Sequence, residues 1–285
     1  MKIGGSAYFH DIIEAFVSKG YARGKDIASA PYDFRYSAKS NPDEYLINTI
    51  NLVEELYENG GQEKVLLVSH SMGGLWSQYL LTNVSEEWKD KYIKSWIPIA
   101  PAYGGTVHEL KLFASGDNEG IPLVGGLTVR EEQRSYESNF WLLPNPELWE
   151  EDEVILQTLN GFYTAHTMKQ FFMDIEFDQG FEIWDNMKEI FSLQDPNVEV
   201  HVKYGTLEGK TADRYNYNTD DVDDTSQLET VYGKGDGTVN LRSLRAAEKK
   251  GWKDVSHDEY AGEDHTTVLK NEGLINELLA YAGAA

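Results

Sequence analysis

Hydrophobic positions in residues 1–105 follow two alternating patterns. Ile12, Ile13, Phe16 and Val17 recur at helical spacing, and Gly20 follows as a stop. Leu46, Ile47, Ile50, Val53 and Leu56 repeat that spacing behind an Asn41 cap and Pro42 at the first helical position, and Gly60-Gly61 ends it. Between such stretches lie short apolar runs, Val65-Leu66-Leu67-Val68 and Trp96-Ile97-Pro98-Ile99-Ala100. They are too short for buried helices and are bounded by turn residues. They therefore predict buried parallel strands, with a helix from about Gly73 to Asn83 between them. Strands alternating with helices imply a parallel sheet with right-handed crossovers.

Residues 106–195 lose that rhythm. Rich in Trp, Phe and acidic side chains, they predict amphipathic helices and no strand, which suits a helical cap inserted over a sheet-based core. The strand pattern returns at residues 198–202. A polar, Asp-rich loop then leads to Val231-Tyr232-Gly233, a helix from Leu241 and a closing helix from Val268 to Ala280. The chain thus divides into a first core part (1–105), a cap (106–195) and a second core part (196–285). Asp220, Asp221, Asp223 and Asp224 lack the spacing and glycine of a calcium loop and read as a solvated turn.

Composition narrows the function. With 285 residues, 41% of them hydrophobic and 12% aromatic, the chain can bury a large core, as one domain or as a core with an inserted subdomain. A net charge of −23 argues against nucleic acid and against polybasic attachment to anionic membranes. The absence of cysteine excludes a disulfide scaffold, a thiolate zinc site and a cysteine nucleophile. No segment reaches the ~20 apolar residues of a membrane helix. The start, Met1-Lys2-Ile3-Gly4-Gly5-Ser6, lacks the apolar run of a secretory signal.

The chemistry centres on Ser69-His70-Ser71-Met72-Gly73-Gly74, placed between a buried strand and a helix. That is the setting of a nucleophile elbow, in which small neighbours two residues either side of a serine allow a sharp turn. Ser69 replaces the usual first glycine and Gly73 keeps the second. The turn would expose the Ser71 hydroxyl and place the Met72 N–H at a helix N-terminus, where it can stabilise an oxyanion. The same string also suits an ordinary helix-capping serine. An elbow serine needs an acid and a base that follow it in the order Ser, Asp or Glu, His. Of seven histidines, His10 precedes the elbow, His70 lies inside it and points away from the serine, His108 and His166 fall in the cap, and His201 falls in a strand. Of the remaining two, His265 is the stronger candidate over His257, because Gly262-Glu263-Asp264-His265 forms a loop ahead of the final helix. For the acid, Asp236 in Gly233-Lys234-Gly235-Asp236-Gly237-Thr238-Val239 follows a strand, with glycines that let its carboxylate turn inward; Asp264 and Asp195 are rivals. The roles are Ser71 as nucleophile, His265 as base then acid, and Asp236 as orienter of the imidazole.

At these residues the chain resembles the lecithin:cholesterol acyltransferase family, and within it the lysosomal phospholipase A/acyltransferase branch. Beyond the elbow, the resemblance rests on Pro31-Tyr32-Asp33-Phe34-Arg35, Trp88-Lys89-Asp90-Lys91-Tyr92-Ile93, the segment from Ala114 to Pro122, Arg130-Glu131-Glu132-Gln133-Arg134-Ser135, Gly235-Asp236-Gly237-Thr238-Val239-Asn240 and Glu263-Asp264-His265. It implies an α/β-hydrolase fold with a mostly parallel sheet and an inserted helical cap, in which Ser71, Asp236 and His265 fall on the family's catalytic positions. It also implies transfer of a fatty acyl chain from a glycerophospholipid, through an acyl-enzyme, to a lipid alcohol or water, with no metal or diffusible cofactor. Cap Trp, Phe and Leu side chains are expected to line the acyl track or, for any one of them, to form plain cap core; residues 115–127 are expected to form a movable lid, and the surface to touch membrane or lipoprotein peripherally. A lysosomal or secreted setting is implied; the sequon Asn83-Val84-Ser85 matters only there.

Three departures from the family stand out. By the resemblance, the chain starts after N-terminal sequence holding a sheet strand, a membrane-contacting segment and the second oxyanion donor, so N-terminal strands are expected to be missing, as in a truncated gene product. Val202 and Ala247 stand where animal members pair cysteines. Tyr103 replaces a family tryptophan and is expected to alter acyl or acceptor preference. The alternatives are an esterase of smaller esters and a non-catalytic lipid-binding protein.

Overall fold

The computed structural model describes residues 8–284 apart from Glu119 and Pro122. The chain start, read above as lacking a secretory signal, and two positions of the segment from Ala114 to Pro122 lie outside the described residues. Helices α1 (His10–Ser18) and α2 (Pro42–Asn59) lead into strand β1 (Val65–His70), and α3 (Gly73–Asn83) and α4 (Glu86–Tyr92) connect it to β2 (Ile93–Ile99). There follow α5 (His108–Ser115), α6 (Gly126–Ser135), α7 (Glu137–Trp141), the short β3 (Leu156–Gln157) and β4 (Phe162–Tyr163), α8 (Met168–Asp174) and α9 (Asp178–Asn186). Strand β5 (Val200–Tyr217) returns to the sheet and β6 (Leu228–Gly235) folds back on it. The single turns α10 (Leu241–Leu244) and α11 (Ala246–Lys249), β7 (Val255–Ala261) and α12 (Glu272–Ala282) complete the chain.

Strands β1, β2, β5 and β7 lie side by side and all run parallel, as an α/β-hydrolase sheet requires. Trp96, Ile97, Ile99, Val200 and Val202 are fully buried. Strand β2, covered on both faces, reads as an apolar run from Trp96 to Ile99, whereas β5 buries His201 and Lys203 between its apolar residues. Helix α3 is buried along most of its length, so it shows no strong polar face.

Several expectations need correction. The buried stripe of α2 is Tyr45, Thr49 and Val53, whereas Ile47 faces solvent, and the Asn41 side chain bonds to Glu44 rather than capping the helix. Residues expected to form a polar loop after 202 instead extend β5 to Tyr217. Its first part, Val200 to Thr206, pairs with β7, and its second, Leu207 to Tyr217, pairs antiparallel with β6. The second part is mostly polar from Glu208 to Arg214, and its exposed and buried positions fall in blocks rather than alternating. The cap, expected to lack strands, contributes β3 and β4, and β3 adds to the far end of β5. His257 lies on β7, in a segment whose sequence reads only as polar. The closing helix starts at Glu272 after a separate turn at Thr267–Lys270, with Asn271 as its cap through bonds from Gly273 and Leu274.

Residues 106–195 contribute an aromatic cluster that is continuous with the rest of the core. Phe113, Phe140, Phe171 and Phe172 are fully buried, with the Phe113 and Phe140 ring centroids 4.6 Å apart. Trp141, Trp149 and Trp184 are also buried, so these side chains pack the cap rather than line an open acyl track. The arginine-rich motif has a local task. Arg134 donates to the Phe113 carbonyl at 2.7 and 3.0 Å, Arg130 donates to the Ala114 carbonyl, and the Gln133 amide brackets both the N–H and the C=O of Asp117. Together they hold the end of α5 against α6. A Cβ at Gly116 would stand 2.2 Å from the Gly126 carbonyl oxygen, so both stems of the intervening loop are pinched where only glycine fits.

Tyr103 is buried between Trp96 and Trp252 and belongs to the core, not to a substrate wall. Its hydroxyl has no hydrogen-bond partner among the described residues. Tyr103→Phe is therefore expected to stabilise the protein by about 1 kcal/mol in urea unfolding, since an unpaired buried hydroxyl is removed with the shape retained. A destabilised variant would mean that the hydroxyl is satisfied.

Candidate active site

Strand β1 ends in a turn held from both sides. The Ser71 N–H donates to the Ile99 carbonyl at 3.0 Å, and the Ser71 carbonyl accepts from the Gly74 N–H at 2.9 Å. Ser71 takes φ 54°, a left-handed conformation that costs a non-glycine residue roughly 1–2 kcal/mol. That strain turns its side chain out of the strand, and the Met72 N–H opens the N-terminal end of α3. The tight position is Gly74 rather than Gly73. A Cβ at Gly74 would lie 2.9 Å from Pro101 Cβ, whereas one at Gly73 would make ordinary contacts at 3.6 Å or more. Ser69 stands in place of glycine with a partner, since Trp96 Nε1 donates to its Oγ at 2.9 Å in the buried interior.

Asp236 sits in the turn after β6 and is wholly buried. A carboxylate there is tolerable only when its oxygens are engaged. Oδ1 accepts from the Thr238 and Val239 N–H groups at 3.0 and 2.7 Å, and Oδ2 accepts from His265 Nδ1 at 2.7 Å. Gly235 permits this fold-back, because a Cβ there would come within 2.2 Å of the Val239 carbonyl oxygen. His265 lies in the loop after β7, which crosses β5 so closely that a Cβ on Gly205 would stand 2.3 Å from the Glu263 carbonyl oxygen. Its Nε2 is 2.8 Å from Ser71 Oγ. With Nδ1–H committed to Asp236, Nε2 carries the lone pair and accepts from the serine hydroxyl.

Ser71, His265 and Asp236 thus come together from the C-terminal ends of three different strands, although 194 and 29 residues separate the two contacts in sequence. The rivals lie elsewhere. The Asp264 carboxylate accepts from the Thr266 and Thr267 N–H groups; burial works to raise its pKa, but these bonds outweigh it and lower the value. Asp195 bonds to the Asn197 and Lys253 amides. His257 is half-buried, with neither ring nitrogen hydrogen-bonded among the described residues. His108 meets the Tyr215 hydroxyl, His166 the Trp149 carbonyl and His201 the Ser256 hydroxyl. A groove of about 940 Å³ opens between the pinched loop and β5–β6, lined by His108, Lys111, Asp117, Tyr215 and Tyr232, and it reaches Gly237 beside Asp236.

His70 points away from the serine but onto His265: its Nε2 is 2.7 Å from the His265 carbonyl oxygen. The signal in the sequence is its place directly before Ser71 at the end of β1. Burial drives its pKa down to about 3, with the neighbouring His265 acting in the same direction. A histidine free to protonate when unfolded but not when folded makes the unfolded chain bind more protons below about pH 6.5, so stability rises with pH between about 3 and 6.5. Acidification from pH 7 to 5 is therefore expected to remove about 2 kcal/mol through this residue. Urea titrations of wild type and His70→Gln check this, since the variant should show the shallower pH dependence; equal slopes would assign the acid sensitivity elsewhere.

The chain is 37% identical over 269 residues to a lysosomal phospholipase A and acyltransferase of Rattus norvegicus, which covers 93% of this chain and 64% of that protein. It is 34% identical over 270 residues to a phosphatidylcholine-sterol acyltransferase of Gallus gallus, with the same coverages. This chain therefore spans about 64% of the length of these curated relatives. Among solved structures, a chain of the Tle4–Tli4 complex superposes with a TM-score of 0.61 over 90% of this chain and 67% of its own length, at 14% identity, and shares the fold. The family model described as lecithin:cholesterol acyltransferase matches residues 1–188, more than half of the chain and inclusive of the serine turn. On that match, the chain belongs to the lecithin:cholesterol acyltransferase family.

Proposed function

We propose that this chain carries the catalytic centre of a serine-dependent phospholipid acyltransferase/phospholipase. The observation that carries the reading is the continuous hydrogen-bond path from Ser71 through His265 to Asp236. Family membership and the relatives' names support a glycerophospholipid as acyl donor. Ser71 Oγ attacks the ester carbonyl as its proton passes to His265 Nε2, while Asp236 stabilises the imidazolium that forms. The Met72 N–H, at the head of α3, receives the oxyanion. Collapse breaks the ester bond, His265 returns the proton to the departing lysophospholipid oxygen, and the acyl group stays on Ser71. A lipid alcohol or water, deprotonated by His265, then takes the acyl group and frees the serine.

Exposed Ile121, Leu123 and Leu127 border the pinched loop and support peripheral contact with a lipid surface. The test compares liposomal phosphatidylcholine, with and without a long-chain alcohol, against short-chain nitrophenyl esters. Fatty-acid release and fatty-ester formation from the liposomes are expected. Turnover of the short esters alone would replace this reading with a small-ester hydrolase. A folded chain inert to both would point to lipid binding without catalysis.

A further inference from the structure

We propose that His70 is a positioning residue for the base, tying the backbone of His265 to the strand end that presents the nucleophile. The inference rests on the catalytic reading above and adds to it a residue outside the Ser71, His265 and Asp236 path.

The loop that bears His265 is gripped at both of the residue's backbone polar groups. Its N–H donates to the Asp236 carbonyl at 2.8 Å, and its carbonyl oxygen lies 2.7 Å from His70 Nε2. A carbonyl only accepts, so His70 Nε2 carries the proton and Nδ1 carries the lone pair. The Tyr8 hydroxyl completes the assignment by donating to Nδ1 at 2.6 Å. Burial first, and the charge of Asp236 second, hold the Tyr8 phenol protonated, with its pKa pushed up to about 12. The tautomer of His70 is therefore set by its two neighbours.

His70 closes β1 and Ser71 follows it in the left-handed turn. The change of backbone direction between them lets adjacent residues hold the two ends of one histidine. Ser71 meets the His265 ring at Nε2, while His70 holds the same residue's carbonyl and lies against the ring with centroids 4.7 Å apart. The distance between nucleophile and base is thereby referred to a single dipeptide, although the two belong to segments 194 residues apart. A neutral His70 also adds no positive charge beside the imidazolium that forms on His265 during acyl transfer. Among the described residues, the rings packed against it are those of Tyr8, Phe9 and His265.

The test uses the time course of fluorophosphonate labelling of Ser71, which requires a working nucleophile and base but no lipid. Circular dichroism and thermal unfolding are recorded on the same samples. His70→Phe retains a ring but loses the donor, and His70→Gln places an N–H near the same point. His70→Phe is expected to lower the limiting labelling rate about 10–100-fold with reagent affinity unchanged, the scale of a misplacement of about 1 Å, whereas His70→Gln stays within about threefold of wild type. Tyr8→Phe, which frees the tautomer but keeps the donor available, falls between them.

Equal labelling of wild type and His70→Phe would overturn the positioning role. So would an equal loss in both His70 variants that tracks a lowered unfolding midpoint, because packing alone would then explain it. A folded wild type that takes no label would instead remove the catalytic reading itself, and the positioning role with it.

Discussion

Ser71→Ala is expected to abolish fluorophosphonate labelling and to lower acyl transfer by roughly 10⁵–10⁶-fold, the scale seen when a hydrolase loses its nucleophile. The effect is so large because the hydroxyls beside Ser71 and His265 in sequence are committed elsewhere. Ser69 Oγ is committed to Trp96 inside the sheet, and the threonines after His265 bond to Asp264. Folding should survive, since the Ser71 hydroxyl is held by His265 alone among the hydrogen bonds of the described residues, and its removal opens no core cavity. The backbone strain at φ 54° persists in the alanine variant. Ser71→Gly is thus expected to be equally inactive but to melt at a higher temperature than Ser71→Ala, because glycine adopts that conformation freely. Lipid turnover by Ser71→Ala above one hundredth of the wild-type rate would remove the serine from the mechanism.

Asp236→Asn is expected to cost roughly 10⁴-fold in acyl transfer while leaving the fold in place. The structure dictates which way the new amide faces. Oδ1 accepts two backbone N–H bonds, from Thr238 and Val239, so the asparagine oxygen must keep that side and its NH₂ must face His265 Nδ1. A donor opposite Nδ1 forces the proton of the neutral ring onto Nε2, which then cannot accept from Ser71. Measurement of the rate together with a high-resolution structure of the variant checks both halves. A variant with unchanged geometry and near wild-type rate would show that the carboxylate is not needed.

Much of the site was legible because each part carries a local backbone demand. The turn at Ser71 and the fold-back around Asp236 advertise themselves through small residues beside a strand, and glycine is needed where another chain segment passes within 2–3 Å. Gly205, Gly74 and Gly235 are of this kind. Strand β2 is legible because both its faces are covered, whereas the far half of β5 reads as a loop. Its residues are mostly polar from Glu208 to Arg214, and its pairing with β6 spans an intervening Asp-rich turn that local pattern reading cannot bridge. The β3–β4 pair escaped for a related reason, since two-residue strands exist only by virtue of β5 beside them. The cap aromatics had the composition of a lipid track, but packing turned them into core.

By itself, the sequence determined the alternation of strand and helix, the turn that strains Ser71, the order of Ser71, Asp236 and His265 along the chain, and the family. These are properties of contiguous residues, where period, glycine placement and side-chain chemistry act over a few positions. Only the tertiary structure decided which of several histidines and aspartates meet. It also decided that Tyr103 and the cap tryptophans are interior, and that His70 grips the loop of the base. Such contacts join segments many tens of residues apart, and they are set by how the sheet brings strand ends together rather than by any local preference of the chain.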